Sequence, residues 1–143
     1  MKSYYRVMLG KKSVHAETCV ADSFIGADFD IYQNLFNELP ENWRDFNSKF
    51  REVFKSNHPG KSNVSAGLAC GFLWTICKGI KIGDIVICPD GSGAYHVGEV
   101  VSNYIYQPGG ILPHRRSVIW HSKRIERDSM SDALKIVQDL LVL

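Results

Sequence analysis

Apolar positions along the chain change spacing several times, and the changes mark its elements. Tyr4 to Leu9 alternates and is rich in β-formers, which predicts a strand closed by the Gly10-Lys11-Lys12 turn. His15 to Ala21 reads as a short helix or loop, and Ser23 to Phe29 as a short strand interrupted by Gly26. Leu35 to Leu39 is brief and is stopped by Pro40. From Pro40-Glu41-Asn42 onward, Trp43, Phe46, Phe50, Val53 and Phe54 recur at threes and fours, which predicts an amphipathic helix ending before Asn57-His58-Pro59-Gly60. A second helix starts near Asn63 with Ser62 or Asn63 as N-cap. Its row Leu68, Phe72 and Ile76, joined by Ala66, Ala69, Cys70, Leu73 and Cys77, predicts a largely buried helix capped by Gly79. Strands follow at Asp84 to Cys88, Ala94 to Val101 continuing to Tyr106, and Ser117 to Ile125. They are joined by turns at Pro89-Asp90-Gly91-Ser92-Gly93 and Gln107-Pro108-Gly109-Gly110. A last helix is predicted from Asp132 to about Leu141, with Ser129 or Ser131 as cap and a stripe of Leu134, Val137, Leu140 and Leu141.

Composition changes this picture little. The 143 residues are 45% hydrophobic and 22% charged, as expected of one soluble domain of ordinary make-up. No apolar run is long enough to span a bilayer, and the N-terminus has no signal-peptide core, so a cytoplasmic location is expected. Cys19, Cys70, Cys77 and Cys88 form no CxxC pair; buried free thiols are expected, with no metal site and no cofactor. The net charge of +2 does not by itself announce a nucleic-acid binder. Its distribution is more suggestive. His114, Arg115, Arg116, His121, Lys123, Arg124 and Arg127 lie close together with Glu126 as the single acid among them, which reads either as a basic face or as solvated strand-edge charge.

The order of elements and four short motifs carry a resemblance. The motifs are Phe24-Ile25-Gly26 with Asp28-Phe29, Gly83-Asp84-Ile85-Val86-Ile87 with Pro89, Tyr95-His96-Val97-Gly98-Glu99-Val100 with Tyr104 and Tyr106, and His114-Arg115-Arg116-Ser117-Val118-Ile119-Trp120. Together they span about 100 residues and resemble the PUA-like superfamily, in particular the EVE-like modules at the N-termini of prokaryotic modification-dependent restriction proteins. The family's Ile-Gly-Trp stands here as Ile25-Gly26-Ala27. The resemblance implies an α+β fold, a PUA/EVE-like partly open β-barrel of five or six strands flanked by helices. It makes residues 1–143 a single EVE-like domain, the N-terminal module of a longer chain in such systems. It also implies an aromatic pocket that accepts a flipped, modified base, in service of a restriction or defence system.

The residues nominated for that pocket are Phe24, Asp28, Phe29, Asn63, Ser65, Trp74, Tyr104, Tyr106 and Trp120. Asp28 beside rings would accept from an exocyclic amine, or cap a helix. Asn63 and Ser65 stand at a helix N-terminus suited to a phosphate or base carbonyl, or simply cap it. Trp74 and Trp120 read as pocket or core. Tyr104 and Tyr106 share one face of their strand, a pocket wall or a barrel exterior. Arg115, Arg116, Lys123 and Arg124 are the phosphate candidates.

No catalytic constellation is expected. His96 and Glu99 do not form an acid–base pair; His15, Cys19 and Asp22 have helical spacing and could meet, but a Cys–His pair on a helix is no nucleophile constellation without an oxyanion site or third group; and Gly91-Ser92-Gly93 is not followed by a helix. The expected partner is modified duplex DNA, with no membrane, and any nuclease or NTPase effector would be carried elsewhere in a parent chain. The rivals are an RNA-binding PUA-like domain, a nucleotide or small-molecule sensor, and a structural interaction domain docking through its apolar C-terminus.

Overall fold

A computed structural model of the protein describes residues 2–126. The helix expected from Asp132, its caps Ser129 and Ser131, and Arg127 lie outside the described residues. The fold is α+β with a mixed sheet whose strands lie in the order Tyr4–Arg6, Ile85–Pro89, Ala94–Val100, His114–Trp120, Phe24–Ala27. The described residues fall into two compact units, one built from 2–25, 80–102 and 117–126, the other from 26–79 and 103–116.

The first unit holds β1 (Tyr4–Arg6), α1 (Ala16–Ala21), the start of β2 (Phe24–Ala27), β3 (Ile85–Pro89), β4 (Ala94–Val100), the end of β6 (His114–Trp120) and β7 (Ile125–Glu126). β1 runs parallel to β3, with Tyr4 opposite Ile85. β3 is antiparallel to β4, which pairs in turn with β6 and with β7. Ile85, Val86, Ile87 and Cys88 are all buried, the continuous apolar reading of a strand covered on both faces. Asp84 enters this core because its carboxylate accepts the Ser3 N–H at 2.9 Å and the Lys81 N–H at 2.8 Å. Buried charge persists where such partners exist.

The second unit holds the end of β2, α2 (Trp43–Asn57), α3 (Asn63–Trp74), β5 (Ile105–Tyr106) and the start of β6. Asn42 caps α2 by accepting the Arg44 N–H at 2.7 Å. The periodic Phe46, Phe50 and Phe54 are buried, with the first two rings stacked at 4.6 Å. Ser62 caps α3 through the Ser65 N–H at 3.1 Å.

Three expectations are corrected. The strand from Ala94 does not continue to Tyr106; it ends at Val100, and β5 is a separate strand paired with β6. The stretch from Ser117 is likewise two strands, β6 and β7. And α3 is not buried on its Leu68–Phe72 row: Val64, Leu68 and Phe72 are 74, 61 and 61% exposed, while Ala66, Ala69, Cys70 and Leu73 are buried. Small residues let α3 approach α2, where Asn47 Nδ2–H donates to Gly67 O at 3.1 Å. A π-helical turn, Thr75–Gly79, then brings Ile76 inside.

All four cysteines are free and buried. Burial pushes the Cys70 thiol up to about 11, and those of Cys77 and Cys88 higher still. The folded protein is therefore expected to resist a thiol reagent at pH 8, and to release four equivalents on addition of denaturant. Rapid labelling without denaturant would contradict this burial. No helix among the described residues is long and apolar enough to cross a membrane.

Candidate functional site

The register of β4 and β6 sets Gly98 opposite Trp120 and Glu99 opposite Ile119. A side chain at Gly98 would lie 2.8 Å from Trp120 Cε3 and 3.1 Å from Cζ3, so glycine is what lets the indole lie across the strand. Trp120 Nε1–H donates to Cys19 O at 3.1 Å, and His96 meets the ring edge-on at 6.0 Å. The indole is thus held from behind and left half-exposed.

This ring forms part of an open groove of about 520 Å³ in the first unit. Its floor lies over the fully buried Ile85 and Val97; Ile119 is its exposed apolar wall, and Lys2, Glu99, His121 and Ser122 its polar one. Lys2 Nζ donates to Glu99 Oε1 at 2.9 Å, with the two side chains 33 and 38% exposed. The groove therefore brings an aromatic ring beside a carboxylate and an ammonium that bond to each other.

Beyond the groove the chain runs through Lys123 and Arg124 into β7, which pairs beside Ala94 and Tyr95. The Asp90–Gly93 turn lies at that end. Burial pushes the Asp90 carboxyl up, but donors from Ser92, Ala94 and Arg124 outweigh it and hold the group down to about 2. Its side chain is only 4% exposed. Lys12 O lies 3.4 Å from where a side chain at Gly91 would begin. Lys11, Lys12, Lys123 and Arg124, all exposed, thus flank a turn whose acid is turned inward.

In the second unit the chemistry is inward-looking. Tyr104 and Tyr106 both reach the His114 ring, at 5.9 and 5.3 Å between centroids. His114 is 0% exposed. Its Nε2 faces Ile31 O at 2.6 Å, an acceptor only, so Nε2 carries the proton and Nδ1 accepts from the Tyr104 hydroxyl at 2.8 Å. Tyr104 Oη in turn accepts the Leu35 N–H at 3.1 Å. Burial lowers the His114 pKa and raises that of Tyr104. The chain of bonds ties 31–35 to Tyr104, which precedes β5, and to β6, and leaves the Tyr104 hydroxyl and His114 occupied.

The other nominated residues are placed as follows. Trp120, Lys123 and Arg124 lie on one segment of the first unit, where Phe24 is buried. Trp74 is half-buried, its Nε1–H donating to Pro40 O at 2.8 Å and its ring filling the space beside Gly79. Asn63 Oδ1 accepts from Lys55 Nζ at 2.7 Å, and the Ser65 N–H is taken by the cap. Asp28 Oδ1 accepts the Asp30 N–H at 2.9 Å, with Phe29 beside it at φ +55°. Arg115 donates to Ile111 O at 2.7 Å and to Leu112 O at 3.1 Å, pinning the 107–113 turn. Arg116 corrects an expectation: it is 2% exposed and donates to Ile76 O at 3.2 Å, so it does not stand on a phosphate-binding surface. A cation suits that carbonyl because helix C-termini carry partial negative charge. The sequence nominated none of Lys2, Glu99, Gly98, Lys11 and Lys12 for binding, although Gly98 and Glu99 stand in a motif and Lys11 and Lys12 in a turn.

These features define an α+β protein with an open, aromatic-lined groove and a cationic turn beside it. The chain belongs to a family described as a domain of unknown function (DUF8426), whose model matches residues 5–137. No curated protein and no solved structure matches it.

Proposed function

We propose that this protein is a nucleic-acid-binding recognition module with a PUA/EVE-like partly open barrel, reading a modified base in DNA for a cytoplasmic restriction or defence system. The observation that carries the reading is the Trp120 segment: a half-exposed indole held over Gly98 in a groove, followed directly by the exposed cations Lys123 and Arg124. Stacking of an unstacked base on an aromatic ring is worth about 1–3 kcal/mol and tolerates any base. Glu99 and Lys2 offer an acceptor and a donor to the base edge. Lys11, Lys12, Lys123 and Arg124 take phosphates, the sequence-independent part of affinity. The role assigned to this chain is binding, and any effector chemistry belongs to a partner or parent chain.

The test is binding to one duplex, plain or carrying N6-methyladenine, 5-methylcytosine or 5-hydroxymethylcytosine, across a salt series. Four phosphate contacts give a slope of log K against log salt of roughly −3.6. Lys123→Ala with Arg124→Ala should reduce that slope by about 2, and Trp120→Leu should cost about tenfold or more on the preferred duplex. A matched RNA that outcompetes the DNA would assign the same surface to RNA. Binding of a free nucleoside with no salt dependence would make the groove a sensor site. Variants that bind like the parent protein would sink the proposal.

A further inference from the structure

Strand register decides where His96 stands. β4 pairs with β6 through Gly98 opposite Trp120, and with β7 through Tyr95 opposite Ile125 and Ala94 opposite Glu126. His96 therefore lies where β4 passes from one partner to the other, beside the 121–124 segment that joins them. Side chains alternate along a strand, so His96 shares a face with Gly98 and the indole laid across it, while the buried Tyr95 and Val97 turn to the opposite face. Its ring meets Trp120 edge-on at 6.0 Å. The charged groups that face it are Asp90, from the turn before β4, and Arg124, from the segment before β7, and these two bond each other at 2.8 Å. Its neighbour across to β3 is Cys88, a buried free thiol.

Two other histidines are fully engaged. His114 has its nitrogens on Ile31 O and the Tyr104 hydroxyl, and His58 has its nitrogens on Phe54 O and the Asp30 carboxylate. His96 is half-buried, and neither of its ring nitrogens has a hydrogen bond or is sealed from solvent among the described residues. A free imidazole thus stands between a half-exposed indole and a cation.

We propose that His96 is a phosphate contact of the nucleic-acid site, seated between the Trp120 ring and Arg124, and that it takes up a proton as nucleic acid binds. The inference rests on the reading of Trp120 and its flanking cations as that site. A nucleotide stacked on Trp120 carries its phosphate one sugar away from its base, and His96 lies on the side of the indole that faces the cationic turn. In the free protein burial holds the His96 pKa below its ordinary value, with Asp90 pulling it up and Arg124 pushing it down. A phosphate beside the ring favours the charged form. The bound state then holds more of this proton than the free state, so affinity is highest in acid and falls as pH rises through the interval between the two pKa values.

Salt series on the unmodified duplex at about pH 5.5 and about pH 8 test this. One additional phosphate contact steepens the slope of log K against log salt by about 0.9 at the lower pH. His96→Gln should lose that difference while keeping the parent far-ultraviolet spectrum. Equal slopes at both pH values in the parent protein, or a difference that survives in His96→Gln, overturn the proposal and leave the nucleic-acid reading standing. Tryptophan emission of the free protein is a second test that needs no nucleic acid. An imidazolium quenches a neighbouring indole more strongly than a neutral imidazole does, so emission should drop on acidification below about pH 6.5. The drop should be absent from both Trp120→Phe and His96→Gln. Emission that ignores pH, or a drop that persists in His96→Gln, also overturns the proposal. A protein that binds no duplex at either pH refutes the functional reading and this inference together.

Discussion

His114→Ala is expected to lower the unfolding free energy by about 3–5 kcal/mol, read from urea midpoints. The ring is fully buried and bridges two groups from distant parts of its unit, the Tyr104 hydroxyl and Ile31 O. Truncation leaves a cavity and strips a partner from each, and a buried polar group without a partner carries the full desolvation cost. Phenylalanine at the same position refills much of the volume but not the bonds, so it should recover only part of the loss. The same ring predicts acid lability. Burial holds the folded-state pKa of His114, and of His96, below the ordinary 6.5. The unfolded chain therefore binds more protons than the folded one as pH falls below about 6.5. Stability is full above that value and declines beneath it until the folded-state pKa is passed. The His114→Phe variant should show a flatter acid limb than the parent. A limb of unchanged slope would mean that His114 is not held neutral.

Gly26→Ala should cost about 3 kcal/mol, the upper part of what overpacking typically costs. The new methyl would sit 2.7 Å from Leu112 O, 2.9 Å from Leu112 Cβ and 3.0 Å from His114 O. Two of these are backbone atoms and cannot rotate away. Leu112 already sits at φ +44°, a left-handed conformation with little room to yield. A urea midpoint within error of the parent would show that β2 can shift to make room.

What could be read from the chain depended on whether a signal was local. The amphipathic α2 was legible because Phe46, Phe50 and Phe54 repeat within one element and Pro59-Gly60 ends it. The β3–β4 hairpin was legible because Asp90-Gly91-Ser92-Gly93 is turn chemistry on its own. α3 misled because its apolar ridge and its buried side have the same four-residue spacing; only the position of α2 decides which is covered, and the smaller residues won. Arg116 misled for a related reason. A run of basic residues on a strand alternates between faces, so Arg115 and Arg116 were bound to part ways, and the second found a helix-terminal carbonyl. Of the nominated binding residues, Trp120, Lys123 and Arg124 are neighbours in sequence and remain neighbours in space. Lys2 and Glu99 join them only through a strand register and an ion pair that span distant parts of the chain.

The parallel pairing of β1 with β3 has a consequence for synthesis. Ser3 and Asp84, which bond across it, are separated by 81 residues. At ribosomal speeds of about 5–20 residues per second, some 4–16 seconds pass between the synthesis of one and the synthesis of the other. During that interval Tyr4–Arg6 has made its appearance and its neighbour in the sheet does not yet exist. The growing chain must hold an open strand while α2 and α3, whose contacts are local, are already able to form.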